Sequence, residues 1–117
     1  MKKDSEIICV IKDPGEQPIV ASIPNTLEAL QKAVGGNIET VIEVQGDSCA
    51  MALLCNEEGL IIGLPYNHTA CELPLVGPIV AVGVNGEEFV SLTPNQIQSL
   101  RRLLREPESD LREGALG

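Results

Sequence analysis

The stretch IVAVGVNGEEFVSL, residues 79–92, places an apolar run, a turn signal and a second apolar run in direct succession. Asn85-Gly86 is a typical pair for a type I′ turn, because both central residues of that turn need positive φ. The stretch therefore predicts a β-hairpin with strands over 79–84 and 87–92. A hairpin as the strongest local signal favours an antiparallel sheet.

Other segments of the chain also have strand patterns, and most of their connections are short. Asp13-Pro14-Gly15 is a turn signal between two of them, and Gly46-Asp47 predicts a type II′ turn between two others. Short connections require antiparallel pairing. The predicted strands cover residues 7–11, 18–23, 38–45, 49–55 and 60–64.

Two segments carry helix signals. Asn25 followed by Glu28 fits a capping box and predicts a helix over about 25–35. Thr93, Pro94 and Gln96 predict a second helix over about 94–105. The fold class is therefore α+β, a mostly antiparallel sheet of about six or seven strands with two helices. We expect residues 1–105 to form a single compact domain and residues 106–117, which lose all periodicity, to form a disordered acidic tail.

The chain is short and strongly acidic. Its 117 residues include 8 Lys and Arg against 17 Asp and Glu, which gives a formal charge of −9. A nucleic-acid binder needs a basic surface and uses aromatic stacking, but this chain has one Tyr and one Phe. The same charge disfavours an anionic membrane surface. We therefore expect neither nucleic acid nor membrane among its partners.

Four cysteines and one histidine are candidates for metal binding or nucleophilic chemistry. No two cysteines form a Cys-x-x-Cys pair, and one histidine cannot complete the usual zinc spacings, so we expect no metal and no cofactor. The apolar run at 7–11 is too short for a signal peptide, which favours a cytoplasmic protein with free thiols. Cys71 lies three residues after His68, which leaves a small Cys/His hydrolase open as an alternative.

Residues 65–78 break the strand pattern and are predicted to form the longest irregular segment of the domain. Loops of this length are often functional. The segment concentrates groups that can stack on a ring or bond its edges, and the last turns of the second helix carry the main basic cluster, which suits an anionic group. The candidate ligand-binding residues are Tyr66, Asn67, His68, Thr69, Arg101, Arg102 and Arg105.

Several short motifs, in a fixed order, resemble domain of unknown function family 3846 over about residues 6–104. They are IPNTLEALQ at 23–31, VGG at 34–36, IE at 38–39, CNEEG at 55–59, GLPYN at 63–67, VGP at 76–78, GV at 83–84 and FVSLT at 89–93. The family pattern often has Arg after the Asn of GLPYN, where this chain has His68. The resemblance implies a setting in bacteriophages, prophages and conjugative elements, and it implies no catalytic residue.

These observations together favour a non-enzymatic binding protein of a mobile element that counteracts a host system. It would either sequester a small anionic, nucleotide-like ligand or block a host protein. A structural or regulatory module of a mobile-element complex is the alternative from another class. Exposed sheet edges make a homodimer a further expectation, because unpaired strands can pair with a second copy.

Overall fold

The computed structural model describes residues 5–45 and 50–107, and these form an α+β domain. This part of the chain contains eight strands and two helices, which confirms the predicted fold class. In chain order the elements are β1 Glu6–Lys12, β2 Ile19–Pro24, α1 Leu27–Val34, β3 Ile38–Gln45, β4 Ala50–Asn56, β5 Tyr66–Ala70, β6 Leu73–Val76, β7 Ile79–Asn85, β8 Glu88–Val90 and α2 Pro94–Leu103.

A six-stranded sheet forms the centre of the molecule. Five of its strands follow the order β2-β1-β7-β4-β3. The sixth strand, β8, lies outside this order and pairs with β7. Strands β5 and β6 form a separate two-stranded sheet. Each pairing between the described strands is antiparallel, as the short connections predict. The central strand β7 is buried on both faces over Ile79–Gly83, because the sheet is covered on both sides.

The hairpin over 79–92 is confirmed, but its turn differs from the prediction. Asn85 pairs with Glu88, so Gly86 and Glu87 form the two-residue loop. Gly86 has a φ of 66°, whereas Glu87 does not have positive φ. Glycine at the first central position is typical of a type II′ turn rather than type I′. The second strand also ends early, because Leu92 leaves β7 and its N–H donates to the carbonyl of Ile8 at 2.9 Å.

The two helices lie on opposite faces of the sheet. On one face α1 packs through Leu30 and Val34. On the other face α2 packs through Leu100 and Leu104, beside the β5–β6 hairpin. Both apolar faces come from the same strands, because alternate residues of a strand point to opposite faces of the sheet. The strand side chains of the α1 face are Ile7, Cys9, Ala52, Leu54, Val80 and Val82, and those of the α2 face are Val10, Leu53, Cys55, Ile79 and Ala81.

The cap of α2 agrees with the prediction and that of α1 does not. Thr93 Oγ1 accepts from the N–H of Gln96 at 3.2 Å, and Gln96 Oε1 accepts from the N–H of Thr93 at 2.9 Å. In α1 the N-cap is Thr26, whose hydroxyl accepts from the N–H of Ala29 at 3.1 Å. The predicted cap, Asn25, lies outside the helix, because its N–H donates to the carbonyl of Ser5.

The region between β4 and β7 is where the structure departs most from the sequence-based expectation. The predicted strand over 60–64 is absent, since residues 57–63 form a compact turn with hydrogen bonds from Ile62 N to Glu58 O and from Leu64 N to Gly59 O. The predicted irregular segment over 65–78 instead contains the β5–β6 hairpin. The predicted turn at Gly46-Asp47 lies outside the described residues.

Candidate functional site

A lysine inside the protein links three distant parts of the chain. Lys12 is 0% exposed, and among the described residues it is the one charged side chain that is fully buried. It ends β1 on the same face as Val10, since alternate residues of a strand share a face. Its Nζ donates to Asn67 Oδ1 at 3.0 Å, to Glu106 Oε1 at 2.7 Å and to the carbonyl of Asp13 at 3.3 Å. Lys12 was not among the predicted site residues.

Asn67 holds the β5–β6 hairpin onto this lysine. Its side-chain Nδ2 donates to the carbonyls of Lys12 and Gly77, both at 2.7 Å, while its Oδ1 accepts from Lys12 Nζ. Both amide hydrogens and the amide oxygen are thus used inside the protein. A buried amide with complete hydrogen bonding stabilises the fold. The structure therefore gives Asn67, a predicted ligand-binding residue, an internal structural role.

Glu106 completes the cluster and lies directly after the predicted end of the domain at residue 105. Its carboxylate pairs with Lys12 at 2.7 Å and is 28% exposed. Its backbone N–H donates to Gln17 Oε1 at 2.9 Å, and its carbonyl accepts from Gln17 Nε2 at 2.8 Å. Glu106 therefore packs against the domain just beyond the predicted boundary at residue 105, and most of the predicted tail, residues 108–117, lies outside the described residues. We call Lys12, Asn67 and Glu106 the buried cluster.

The other predicted site residues lie on the surface around this cluster. Tyr66 and Thr69 are exposed, with 2.7 Å between their hydroxyl oxygens, and His68 is half-buried. The three arginines are exposed at the C-terminal end of α2, where Arg105 directly precedes Glu106. The buried cluster therefore brings strand β5 close to the end of α2. The three arginines are Arg101, Arg102 and Arg105.

The three described cysteines are free and fall into buried and exposed classes, and Cys49 lies outside the described residues. Burial raises the pKa of the Cys9 thiol to about 11, and burial together with the nearby Glu39 carboxylate raises the pKa of the Cys55 thiol to about 11. Cys71 is exposed at the tip of the β5–β6 hairpin. In the described part of the chain, neither Cys71 nor His68 has a side-chain hydrogen bond, so the hydrolase alternative stays a prediction.

The turn at 57–63 exposes three large aliphatic side chains in succession. Leu60 is 78% exposed, Ile61 85% and Ile62 56%. Scattered single apolar residues are normal on a surface, but three adjacent ones form a patch. We call these residues the aliphatic ridge. Sequence patterning assigned them to a strand and therefore missed them, although glycines at 59 and 63 enclose the run.

Asn56 fixes the shape of this turn. Its Nδ2 donates to the carbonyl of Val34 at the end of α1, at 3.2 Å, and its Oδ1 accepts from the N–H of Glu58 at 2.8 Å. The turn is also tied from its other end, since Gly77, with a φ of 72°, packs so closely that a Cβ would lie 2.6 Å from Leu64 Cδ1. The aliphatic ridge is therefore presented on a well-braced turn.

A groove of about 230 Å³ lies beside the ridge. It runs between β3, the turn and β6, and its floor is mostly apolar. Carboxylates stand along it, because Glu39 and Glu57 belong to its lining and the exposed Glu58 follows directly. The lining residues are Glu39, Val41, Cys55, Asn56, Glu57, Leu60, Ile61, Pro74, Leu75 and Val76.

The distribution of charge along the chain accentuates this surface. Between Lys32 and Arg101 the sequence contains neither Lys nor Arg. The same interval contains eight acidic residues, which are Glu39, Glu43, Asp47, Glu57, Glu58, Glu72, Glu87 and Glu88. The interval includes strands β3 to β8 and the aliphatic ridge. The part of the sequence that contains the ridge therefore carries acidic residues and neither Lys nor Arg.

A second groove, of about 490 Å³, lies between β2 and α1. It is larger and its surface is largely apolar, but its lining carries one residue of each charge, Glu28 and Lys32. The rest of its lining consists of Ile23, Pro24, Thr26, Ala29 and Ala33. Because its lining carries both charges, this groove gives less information about the charge of a partner.

Two further observations concern metals and membranes. Within residues 5–45 and 50–107, no three His, Cys, Asp or Glu side chains are grouped so that they could hold a metal ion. Neither of the described helices is long and apolar enough to cross a membrane.

Comparison with known proteins gives a family without an assigned activity. No curated protein and no solved structure matches the chain. The family model described as Domain of unknown function (DUF3846) matches residues 7–105, which is most of the chain and includes Lys12 and Asn67 of the buried cluster and the whole aliphatic ridge. The chain therefore belongs to the DUF3846 family.

Proposed function

We propose that this chain is a non-enzymatic binding protein, and that a partner protein docks on its aliphatic ridge. The observation that carries the proposal is the exposure of Leu60, Ile61 and Ile62 on one braced turn. Contiguous exposed apolar side chains mark interaction surfaces in soluble proteins. Burying them against a partner would release about 25 cal/mol for each Å² of apolar area removed from water.

The biological setting in this proposal comes from the family resemblance. The protein would act in the host cytoplasm for a phage, prophage or conjugative element. It would counteract a host system by occupying a surface of a host protein. A rigid surface suits such a blocking role, because a preorganised site loses little conformational entropy on binding.

The ligand-sequestration mechanism is the second form of the same hypothesis, and it has less structural support. Asn67 directs its amide into the protein, so it cannot also bond a ligand ring without opening the buried cluster. The exposed guanidinium groups of Arg101, Arg102 and Arg105 remain suitable for an anionic group. Titration calorimetry with nucleotides tests this form, because heat that Arg102→Gln abolishes would favour sequestration over docking.

The docking proposal is tested by capture of proteins from host lysate. The test variant carries Leu60→Ser, Ile61→Ser and Ile62→Ser. The matched control carries Ile19→Ser, Leu27→Ser and Leu103→Ser, three exposed aliphatic residues elsewhere. We expect wild type and control to capture the same host protein and the ridge variant to lose it. Capture that is equal for all three proteins, or absent for wild type, would overturn docking on the ridge.

A further inference from the structure

We infer that the segment that docks on the ridge and groove is cationic and amphipathic, with apolar side chains for the groove and Lys or Arg side chains for its rim. This inference rests on the proposed function and adds the chemistry of the partner to it.

The size of the groove indicates side chains rather than a small molecule. Its volume of about 230 Å³ lies below the roughly 300–1,000 Å³ of usual small-molecule sites. Its floor is formed by apolar groups that include Val41, Leu75 and Val76. The groove therefore suits one or two apolar side chains, which would continue the contact made by Leu60 and Ile61 at its edge.

The edge strand beside the groove argues for side-chain anchoring rather than strand addition. β3 is the last strand of the main sheet, but its register with β4 shifts between Thr40 and Ile42, which leaves Val41 as a bulge. Bulges at sheet edges interrupt the ladder and hinder pairing with another strand. We therefore expect a helical or irregular partner segment, whose side chains enter the groove.

The rim of the groove selects the charge of the partner. Among the described residues, Glu39, Glu57 and Glu58 have no ion-pair partner. The Glu39 carboxylate lies close enough to the floor to help raise the pKa of the Cys55 thiol. An acidic partner segment would meet repulsion here, whereas Lys or Arg side chains would gain charge-assisted contacts around an apolar centre.

The test uses an amphipathic Lys/Leu model peptide and a Glu/Leu peptide of equal length, with binding measured by fluorescence anisotropy at low and physiological salt. The rim variant carries Glu39→Gln, Glu57→Gln and Glu58→Gln, which keeps the shape of the groove. The control carries Glu16→Gln, Glu28→Gln and Glu87→Gln, which removes the same charge from exposed sites elsewhere. Circular dichroism and urea unfolding confirm that both variants are folded.

We expect the Lys/Leu peptide to bind wild type, and the rim variant to weaken binding about tenfold, since three exposed charge pairs contribute modestly each. The charge control should change affinity less than about threefold, and the serine ridge variant should abolish binding. Equal weakening by rim variant and control would show non-specific attraction and overturn the inference. Equal affinity for the Glu/Leu peptide would also overturn it.

The outcome separates this inference from the function on which it rests. Ridge-dependent capture of a host protein, with no effect of the rim variant, would leave docking intact and refute the cationic partner. If the ridge variant captures the host protein as well as wild type does, and the rim variant does not weaken peptide binding, then both the docking proposal and the cationic partner are refuted. A second copy as the occupant is tested by light scattering, because a wild-type dimer that the ridge variant dissociates would replace the cationic segment as partner.

Discussion

The buried cluster and the aliphatic ridge reverse the usual distribution of residues in opposite ways. At the buried cluster, the ammonium group of Lys12 lies inside the protein, where Asn67 and Glu106 receive its hydrogen bonds. At the ridge, Leu60 and Ile61 lie in solvent. Charged groups are rarely buried unless paired, and adjacent aliphatic groups are rarely exposed together. Both regions therefore need a specific cause.

The difference between them is where that cause lies. The buried charge is explained within the chain, because each contact of Lys12 joins it to a residue of the same domain. Its role is to connect β1, the β5–β6 hairpin and the segment after α2. The exposed aliphatic groups have no corresponding explanation among the described residues. Comparison of the two regions thus supports a structural role for the first and agrees with the binding role that we propose for the second.

The largest effect on stability is expected from Asn67→Ala. The substitution leaves Lys12 Nζ without one acceptor and removes one hydrogen bond from each of the carbonyls of Lys12 and Gly77. Unsatisfied buried groups cost about 1–3 kcal/mol each, so we expect a loss of about 3–5 kcal/mol in the free energy of unfolding by urea. Thr69→Ala, on the exposed side of β5, is the control and should cost less than about 1 kcal/mol. If Asn67→Ala lowers the free energy of unfolding no more than Thr69→Ala does, the structural role of Asn67 is contradicted.

Glu106→Gln is expected to cost less, about 2 kcal/mol. Glutamine keeps a hydrogen-bond acceptor near Lys12 but removes the opposite charge, and breaking a buried pair is costly because one charge remains uncompensated. The partial exposure of Glu106 reduces the cost, since water can approach. Glu16→Gln, at an exposed carboxylate, is the matched control and should change the urea midpoint little. If both variants unfold at the same midpoint, the ion pair does not anchor the end of the domain.

The fold was largely predictable from local signals. Apolar runs, turn residues and caps located six of the eight strands within the predicted segments or beside them, whereas β5 and β6 were assigned to an irregular loop. The reason is chemical, since β5 contains Asn67, His68 and Thr69, and β6 contains Pro74. Such residues are unusual in strands. Tertiary hydrogen bonds of Asn67 compensate for this weak local preference.

The candidate site was less predictable, because burial depends on contacts that are distant in sequence. Lys12 is separated by 55 residues from Asn67 and by 94 from Glu106, so no local pattern reveals their contact. Leu60, Ile61 and Ile62 form an apolar run, which is the pattern of a buried strand. In the structure, the hydrogen bonds of the segment 57–63 form a turn instead of a strand, and the three side chains are exposed.

The turn of the hairpin that carries Asn67 offers a stabilising substitution. Cys71 and Glu72 form its two-residue loop with φ values of 50° and 67°, as in a type I′ turn. Asn-Gly suits these conformations, so Cys71→Asn with Glu72→Gly should raise the free energy of unfolding by about 1 kcal/mol. The control is Glu87→Gly in the β7–β8 loop; Glu87 does not have positive φ, so this substitution relieves no strain and should not stabilise. Equal gains would refute strain as the cause.

The smallest effect on stability is expected at the aliphatic ridge. Leu60→Ser, Ile61→Ser and Ile62→Ser together should change the free energy of unfolding by less than about 1 kcal/mol, because exposed side chains lose little on replacement. Leu54→Ala, at a fully buried position of β4, should cost about 2–5 kcal/mol in the same urea experiment. A large loss in the ridge variant would mean that the ridge supports the fold. A negligible loss, combined with loss of partner capture, would show that these side chains serve binding alone.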